Sequence, residues 1–318
     1  MRFQSKPYSS VGVHAAVTWV AFLIVTGWFC LTVTAHYASE RATVTVVVEG
    51  VAQLHDILYI ICEWSSTILK FNAVTHQRVK PDLYHKGLKW PTDIAACEEK
   101  SRLYLVDSGY VWTVNGQQLK EDIELWLPKS ESNTFTADTL SVTSSRLLVT
   151  SQTTKQLIQF DADGKELRRI RLSDNTEPHH AMESPTGSFI VSHYNIEMKR
   201  HQVTRVDANG REVDHKDKPI TDSDQPSKQA RRNSQSLGLP AHVVVDSLGR
   251  VIVADSEKRC VQLMYSRLTP RRVIVDEDQL NYDEPRRLCY VERTGQLLVG
   301  SKNSVAVFDV LYVARKHV

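Results

Sequence analysis

A short apolar run that recurs along the chain constrains the fold more than any other feature of the sequence. Six runs of aliphatic and β-branched residues share one shape, and their starts are 45, 44, 42, 62 and 46 residues apart. Each run is typical of a short buried strand. The runs are LYIIC at 58–62, LYLVD at 103–107, LLVTS at 147–151, FIVSH at 189–193, VIVAD at 251–255 and LLVGS at 297–301.

Further strand-like segments surround each run. A second strand follows every run, often with alternating apolar and polar residues, as in KQLIQF at 155–160. Another strand precedes each run, and a proline suits its first residue because no ladder hydrogen bond is lost there. Four of these preceding strands are introduced by Pro91, Pro178, Pro240 and Pro285. Four antiparallel strands per repeat describe a propeller blade, so the sequence predicts an all-β, six-bladed β-propeller over 43–313.

The ends of the repeat and its one long interval predict two further features. The sixth unit runs out of chain after its third strand, near Phe308. We therefore expect the unpaired segment TVTVVV at 43–48 to supply the outer strand of the last blade and hide a sheet edge. The long interval predicts a polar loop inserted at about 214–238. Residues 314–318 are left as a C-terminal tail.

An apolar stretch at 11–35 precedes the repeats and contains no Asp, Glu, Lys or Arg. Its 25 residues, at about 1.5 Å each, suffice for a hydrocarbon core of about 30 Å. The sequence therefore predicts one transmembrane or signal-anchor helix after a tail at 1–10. Arg2 and Lys6 favour a cytosolic N-terminus and an extracytoplasmic propeller. The alternative is a cleaved signal ending at Ala35, which predicts a secreted protein.

Two of the units resemble NHL repeats. They are VIVADSEKRCVQLM at 251–264 after LPAHVVVDSLGR at 239–250, and LYLVDSGYVWTV at 103–114 after WPTDIAAC at 90–97. The resemblance extends over 43–313 and implies a propeller like that of invertebrate NHL proteins related to the tripartite-motif group. The third unit departs from the pattern, since Ala137 and Asp138 replace the proline. The RING, B-box and coiled coil of that group are absent, so ubiquitin-ligase activity does not carry over.

The residues just beyond each blade-opening proline are the candidate ligand-binding residues. Ligands of propellers bind where the strand starts of all blades converge on the channel mouth. The repeat places Asp93, His180, His242 and Arg287 at that mouth, with Trp90 nearby. The resemblance adds the amidating lyases, whose metal is held by three such histidines. Here only His180 and His242 match and Arg287 would repel a cation, so we predict no cofactor, with a divalent metal at the two histidines as the alternative.

The charge balance and the motifs of the sequence restrict the possible classes of function. Lys and Arg number 39 against 37 Asp and Glu, which argues against an obligate polyanion binder. The sequence holds no GxSxG, HExxH, P-loop or GxGxxG motif. We therefore predict a membrane-tethered, non-catalytic protein-interaction module. The alternatives are a channel-mouth metal-dependent lyase or hydrolase and an RNA-binding propeller, the latter using cations such as Arg271 and Arg272.

Overall fold

The predicted all-β architecture with six blades is confirmed. The computed structural model describes residues 14–19, 29–36, 44–45, 47–116, 123–127, 135–213, 237–264, 268, 270–302 and 304–310. Within these ranges the chain forms 25 strands and no helix. The strands associate into six antiparallel sheets, which are the six blades.

Blades 1 to 5 are each built from one contiguous stretch of chain. Blade 1 comprises β4 (Val48–Leu54), β5 (Ile57–Cys62), β6 (Thr67–Asn72) and β7 (Leu83–Tyr84). Blade 2 comprises β8 (Pro91–Cys97), β9 (Arg102–Asp107), β10 (Tyr110–Asn115) and β11 (Ile123–Leu127). Blade 3 comprises β12 (Thr139–Thr143), β13 (Arg146–Ser151), β14 (Gln156–Phe160) and β15 (Glu166–Arg171). Blade 4 comprises β16 (Thr176–Glu183), β17 (Phe189–Asn195) and β18 (Arg200–Val206). Blade 5 comprises β19 (Pro240–Val245), β20 (Val251–Asp255), β21 (Cys260–Met264) and β22 (Pro270–Val275).

Blade 6 combines the two ends of the described chain. Its inner strands are β23 (Pro285–Val291), β24 (Gln296–Ser301) and β25 (Ser304–Asp309), and its outer strands are β1 (His14–Trp19), β2 (Phe29–His36) and β3 (Val44–Thr45). The partner of β25 is β2, with Phe29 opposite Val307. The predicted role of 43–48 as the partner of the last strand is therefore wrong, although 44–45 of this segment joins the same sheet as β3, paired with β2. The reason is geometric. The innermost strand of blade 1 begins at Val48, beside the channel axis. If 43–48 formed the outer strand of blade 6, no residues would be left to connect that outer edge to the axis.

The described part of 11–35 is strand and differs from the predicted helix. β1 and β2 pair with each other in register from His14 opposite His36 to Trp19 opposite Leu31. Val and Thr are frequent in both segments and favour strands, and the free edge of β25 offers β2 a partner. In the parts of the chain that the structure describes, no helix is long and apolar enough to cross a membrane. The tails at 1–10 and 314–318 and most of the loop at 214–238 lie outside the described residues.

Six apolar clusters close the blades into a ring. Each cluster lies between two neighbouring blades; Leu58 and Leu298, for example, belong to the one between blades 1 and 6. The other five clusters fill the remaining interfaces around the ring. The innermost strands β4, β8, β12, β16, β19 and β23 surround the axis, and each lies against the next, with β23 returning to β4. The expected closed ring is confirmed within the described residues.

All six innermost strands start at the same end of the channel. We call this the mouth end, and we call the end where these strands finish the opposite end. A turn that joins the second and third strands of a blade also lies at the mouth end, because antiparallel pairing puts Cys62 opposite Val48 and Asp107 opposite Pro91. The turn that joins the first and second strands lies at the opposite end.

Candidate functional site: the channel and its mouth

Six residues at one register form a layer across the channel near the mouth end. In each innermost strand, one residue pairs with the fourth residue of the repeated five-residue apolar run in the second strand. In five blades a one-residue register shift precedes it. These residues, which we call the axial layer, are Gly50, Asp93, Thr139, His180, His242 and Arg287. Four of the five predicted site residues thus lie together.

Asp93 is buried in the axial layer and bonds to the neighbouring blade. Its Oδ2 accepts a hydrogen bond from the Leu140 N–H at 2.9 Å, and its Oδ1 accepts one from the Ile94 N–H at 3.0 Å. Burial raises the pKa of Asp93 to about 6, although the Arg287 charge and the two N–H donors act against this rise. Asp93 therefore joins blade 2 to blade 3 and keeps a carboxyl group in an apolar setting at a free-energy cost.

His180 and His242 stack face to face beside Asp93. Their ring centroids are 3.6 Å apart and their planes are inclined by 23°. Burial lowers the pKa of His180 to about 3 and the pKa of His242 well below its ordinary range, so both rings are neutral. A His180 ring protonated at Nε2 donates to the Leu140 carbonyl at 3.3 Å and accepts the Val243 N–H at Nδ1 at 3.4 Å. His180 thereby joins blades 3, 4 and 5.

Arg287 spans three blades on the same layer. Its Nε donates to the Glu49 carbonyl at 2.8 Å, and its Nη2 donates to the Thr92 carbonyl at 2.9 Å. The guanidinium also pairs with the Glu49 carboxylate at 3.2 Å and approaches Asp93 Oδ1 at 3.8 Å. Removing it would leave the buried Asp93 without its cation and Glu49 with only its longer pair to Arg286 at 3.5 Å. Arg287 is therefore a clamp between blades 6, 1 and 2.

The two histidines of the alternative metal site come together with Asp93, but this group does not fit a metal. The candidate ligand atoms of Asp93, His180 and His242 all lie within 4.8 Å of one another. Both nitrogens of His180, however, face backbone hydrogen-bond partners, which leaves no lone pair for a cation. The Arg287 charge lies 3.8 Å from the carboxylate that would carry the negative charge. Two remaining ligands are fewer than a protein zinc site uses.

Side-chain hydroxyls continue the contacts between blades at the mouth end. Thr92 donates to the Asp138 carbonyl at 3.0 Å, and Thr139 donates to the His179 carbonyl at 3.0 Å. Ser256 donates to the Pro285 carbonyl at 2.6 Å. Most polar groups near the axial layer are therefore used to hold one blade to the next. Such a hydrogen-bond network stabilises the ring of blades and leaves few polar groups available for catalysis.

Trp90, the fifth predicted residue, lies on the rim of the mouth rather than in the axial layer. Its ring packs on Trp64 with centroids 3.8 Å apart, and the two side chains are 44% and 59% exposed. The buried Asp107 fixes this position, since its Oδ2 accepts the N–H groups of Lys89 and Trp90, both at 2.7 Å. The aspartate that ends the repeated run thus sets the turn that presents Trp90.

Sequence reasoning missed Trp64, which has an unusual backbone conformation. Its φ is 58°, in the left-handed region that a bulky residue rarely adopts. The same turn of blades 2 to 5 also holds a residue with positive φ, and there it is Ser108, Lys155, Lys199 or Arg259. A large, exposed aromatic residue in this costly conformation, where the positive-φ residues of the other turns are small or polar, indicates a functional surface. The only sequence signal was a tryptophan in a turn.

Exposed tryptophan and tyrosine side chains are confined to the mouth end of the described chain. Besides Trp64 and Trp90, these are Tyr84 and Tyr282, exposed at 68% and 59%. Tyr84 pairs with Thr67 just after the blade 1 turn, and Tyr282 lies in the connection that enters β23. At the opposite end the exposed apolar residues are aliphatic, such as Leu248. The two ends of the propeller therefore present different chemistry.

Two exposed lysines border the tryptophan pair. Lys86 and Lys89 lie in the segment that leads to Trp90, and both are exposed. Among the residues that the structure describes, neither forms a salt bridge. We call Trp64, Trp90, Lys86 and Lys89 the rim patch.

Comparisons with known proteins show the fold alone. No protein-family model and no curated protein matches the chain. A gluconolactonase from Xanthomonas campestris matches with a TM-score of 0.60 and 13% identity, covering 95% of this chain and 97% of that one. The WD40 β-propeller domain of Doa1 matches with a TM-score of 0.54 and 12% identity over 92% and 100%. Virginiamycin B lyase from Staphylococcus aureus matches with a TM-score of 0.54 and 9% identity over 83% and 95%.

The protein is thus a six-bladed β-propeller. The NHL-repeat resemblance and its link to the tripartite-motif group stay predictions, since identities of 9–13% define a shared architecture only.

Proposed function

We propose that this propeller is a non-catalytic protein-interaction module that binds a partner through the rim patch. The partner segment would carry an apolar side chain to cover Trp64 and Trp90 and acidic residues to pair with Lys86 and Lys89. The observation that carries the proposal is the exposed tryptophan pair, held at 3.8 Å between two blades. Tryptophan is enriched where binding energy concentrates in protein interfaces, and unpaired rim cations steer acidic partners.

The axial layer supports a non-catalytic role. Most of its polar groups bond to neighbouring blades, and its histidines are buried and neutral. Chemistry in this layer would need those groups to exchange their structural partners for a substrate. The rim patch needs no such rearrangement, because its side chains already face solvent.

A display selection of random peptides on the full chain tests the proposal. Retained peptides should combine an aromatic or aliphatic residue with neighbouring Asp or Glu. A Trp64→Ala, Trp90→Ala variant should lose them, whereas Leu248→Ala should keep them. Leu248 is a matched control because it is 74% exposed and lies at the opposite end. Peptides that bind the tryptophan variant as tightly as the wild type, or a basic consensus, would contradict the proposal.

A metal-dependent lyase or hydrolase is the second candidate, favoured by the approach of Asp93, His180 and His242 within 4.8 Å. Elemental analysis of the purified chain distinguishes the two. A stoichiometric metal that disappears in a His180→Ala, His242→Ala variant would support the enzyme. The RNA-binding alternative has less support, since Arg286 and Arg287 both pair with Glu49 at 3.5 and 3.2 Å.

Membrane attachment through 11–35 stays a proposal. A helix across 11–35 and the strands β1 and β2 use the same residues, so one molecule cannot form both at once. Alkaline extraction of membranes from cells that express the full chain separates them. Retention in the pellet, lost when 11–35 is deleted, would support an anchor. Release into the supernatant with residues 11–35 still attached would favour the closing strand.

A further inference from the structure

Four tight turns of the described chain share one backbone conformation. In each, the N–H of the first residue donates to the carbonyl of the fifth at 2.7–3.1 Å, and the N–H of the fourth donates to the carbonyl of the first at 2.9–3.2 Å. The fourth residue is a glycine with φ between 74° and 86°. The turns span 161–165, 184–188, 207–211 and 246–250. Because their backbones agree, the side chains decide what each turn can bind.

In three of these turns the first residue is an aspartate that binds the backbone of its own turn. One carboxylate oxygen accepts the N–H groups of the third and fifth residues at 2.8–3.0 Å. The three residues are Asp161, Asp207 and Asp246. In the last of these turns the carboxylate also pairs with the guanidinium of Arg250. An anion at this place in the turn therefore satisfies two backbone donors and can neutralise a nearby cation.

The turn at 184–188 has a serine in place of the aspartate. Ser184 is buried, and its hydroxyl contacts the hydroxyls of Thr186 and Ser188 at 2.9 and 2.8 Å. The N–H groups of Thr186 and Ser188 correspond to those that the carboxylate binds in the other turns. Here neither N–H has a hydrogen-bond acceptor among the described residues. This turn thus presents two backbone donors that its three counterparts use internally.

A buried arginine lies against the same turn and has no carboxylate partner. Arg205 is 8% exposed, and its Nη1 lies 3.2 Å from Ser188 Oγ and 3.5 Å from Thr186 Oγ1. It forms no salt bridge with any residue that the structure describes. Burial lowers the pKa of its guanidinium, yet an arginine keeps its charge at neutral pH. A buried charge without a counter-ion costs free energy, and an anion bound nearby reduces that cost.

The hydroxyl groups connect this buried charge to the surface of the turn. Thr186 is exposed, and a Cβ atom added at Gly187 would meet nothing within 4 Å, so there is open space beside the turn. Arg205 donates to the oxygens of Ser188 and Thr186. The hydroxyl protons therefore point away from the guanidinium, where they can donate to an anion. The ligand contacts the turn itself and does not need to reach the buried arginine.

We infer that the turn at 184–188 binds a phosphate or sulfate group. The oxygens of this group accept the N–H groups of Thr186 and Ser188 and the Thr186 hydroxyl, and the charge of Arg205 lies behind them. Successive backbone N–H groups in a turn form a concave site for anions. A tetrahedral oxyanion suits these donors better than a carboxylate, because it offers acceptors in more directions. The site goes beyond the proposed function, since it lies at the opposite end from the rim patch.

Equilibrium dialysis of the full chain against radiolabelled inorganic phosphate, at constant ionic strength, tests the inference. We expect saturable binding that sulfate competes for and acetate competes for more weakly. Arg205→Met removes the charge behind the turn and should weaken binding by about ten- to hundredfold. Phenyl phosphate identifies the source of the group. Competition as strong as that of inorganic phosphate would indicate a phosphate carried by a larger molecule, and weaker competition would indicate the free ion.

Ser184→Asp is the most direct variant, because it gives this turn the carboxylate of the other three. It should abolish phosphate binding and raise the free energy of unfolding, since Arg205 gains a counter-ion. It remains informative even if Arg205→Met does not fold. Arg293→Met is the matched control, because it also removes a positive charge at the opposite end, but from an arginine that pairs with Asp56 at 3.5 Å. It should bind phosphate as the wild type does.

Three results would overturn the inference. The first is a wild type without saturable phosphate binding, and the second is acetate that competes as well as sulfate. The third is binding by Ser184→Asp or by folded Arg205→Met that equals the binding by Arg293→Met. None of these results affects the rim patch, since the peptide selection reads the mouth end.

Discussion

The two ends of the channel are made from the same six strands, yet side chains cross between blades at one end and leave a cavity at the other. At the mouth end, Asp93, His180 and Arg287 reach across to the backbone of neighbouring blades. At the opposite end the strands leave a cavity of about 400 Å³. The comparison teaches that repeat position alone does not define a binding site. The residues that converge on the mouth hold neighbouring blades together, and the proposed recognition surface is the rim patch around them.

The largest expected effect is the loss of the clamp at the mouth end. Arg287→Met should lower the free energy of unfolding by about 3–5 kcal/mol, because it leaves the buried Asp93 without its cation and Glu49 with only the longer pair to Arg286. Arg293→Met is the control at the opposite end. Its pair with Asp56 is 3.5 Å long and exposed, so the loss should be no more than about 1 kcal/mol. Urea denaturation of both variants measures the difference, and equal losses would remove the distinction between the two ends.

The second largest effect should be a loss of stability at acidic pH, caused by a buried histidine at the mouth end. Burial lowers the pKa of His180 from 6.5 to about 3, so the folded protein favours the neutral ring. This contribution is complete above the unfolded pKa of 6.5 and is lost as the pH falls toward 3. His180 alone should account for about 2 kcal/mol between neutral pH and about pH 5. Denaturation at the two pH values checks this, and a His180→Asn variant should show a shallower dependence on pH.

Asp93 changes the free energy of unfolding in the opposite direction over part of the same pH range. Its pKa is raised from 3.8 to about 6, so its contribution to stability is greatest below pH 3.8 and is lost as the pH rises through about 6. An Asp93→Asn variant should therefore lose stability more steeply than the wild type on acidification from pH 7 to 5. A slope equal to that of the wild type would mean that the carboxyl is not held in the protonated form as proposed.

Single changes in the rim patch should have a smaller effect, confined to binding. Trp64→Ala or Trp90→Ala should each weaken a selected acidic peptide by about ten- to thirtyfold, the equivalent of about 1.4–2 kcal/mol. Stability should change little, since both side chains are exposed. Titration by fluorescence anisotropy measures the affinity, with Leu248→Ala as the variant expected to bind normally. A loss shared by Leu248→Ala would show that the mouth end is not the specific surface.

Charge reversal at the rim should have the smallest effect. Lys86→Glu and Lys89→Glu should each weaken the peptide by about two- to fivefold, mainly by slowing association, because exposed charges contribute little to affinity. The difference from the wild type should shrink as salt screens the charges. Stopped-flow association at low and high salt gives both rates. An effect that does not depend on salt would exclude the proposed electrostatic role of these lysines.

The sequence predicts the fold well because the repeat is local. Each apolar run, such as LYLVD at 103–107, is one buried strand in the same place of its blade. The same register predicted Asp93, His180, His242 and Arg287 wherever a proline marked the strand. It missed Gly50 and Thr139, which have no such marker. At Gly50 a Cβ atom would lie only 2.7 Å from Ile94 Cγ2, and this is a tertiary contact that the sequence does not reveal.

Other features depended on contacts between distant parts of the chain. The packing of Trp64 against Trp90 joins turns of two blades, and the cavity arises from the sizes of side chains on six strands. The described part of 11–35 is strand, and hydrophobicity alone does not separate a membrane helix from a strand that closes a sheet. In the structure, β2 pairs with the free edge of β25, a strand near the other end of the chain. This long-range contact is not visible in the segment itself.

Hydrogen exchange of the propeller with and without a selected acidic peptide tests the contrast between the two ends most directly. The account predicts slower exchange in the mouth-end segments 63–66 and 84–90, where Trp64, Lys86, Lys89 and Trp90 lie, and unchanged exchange in the opposite-end turns at Gly187 and Gly249. Protection at the opposite-end turns, with none at the tryptophans, would contradict it.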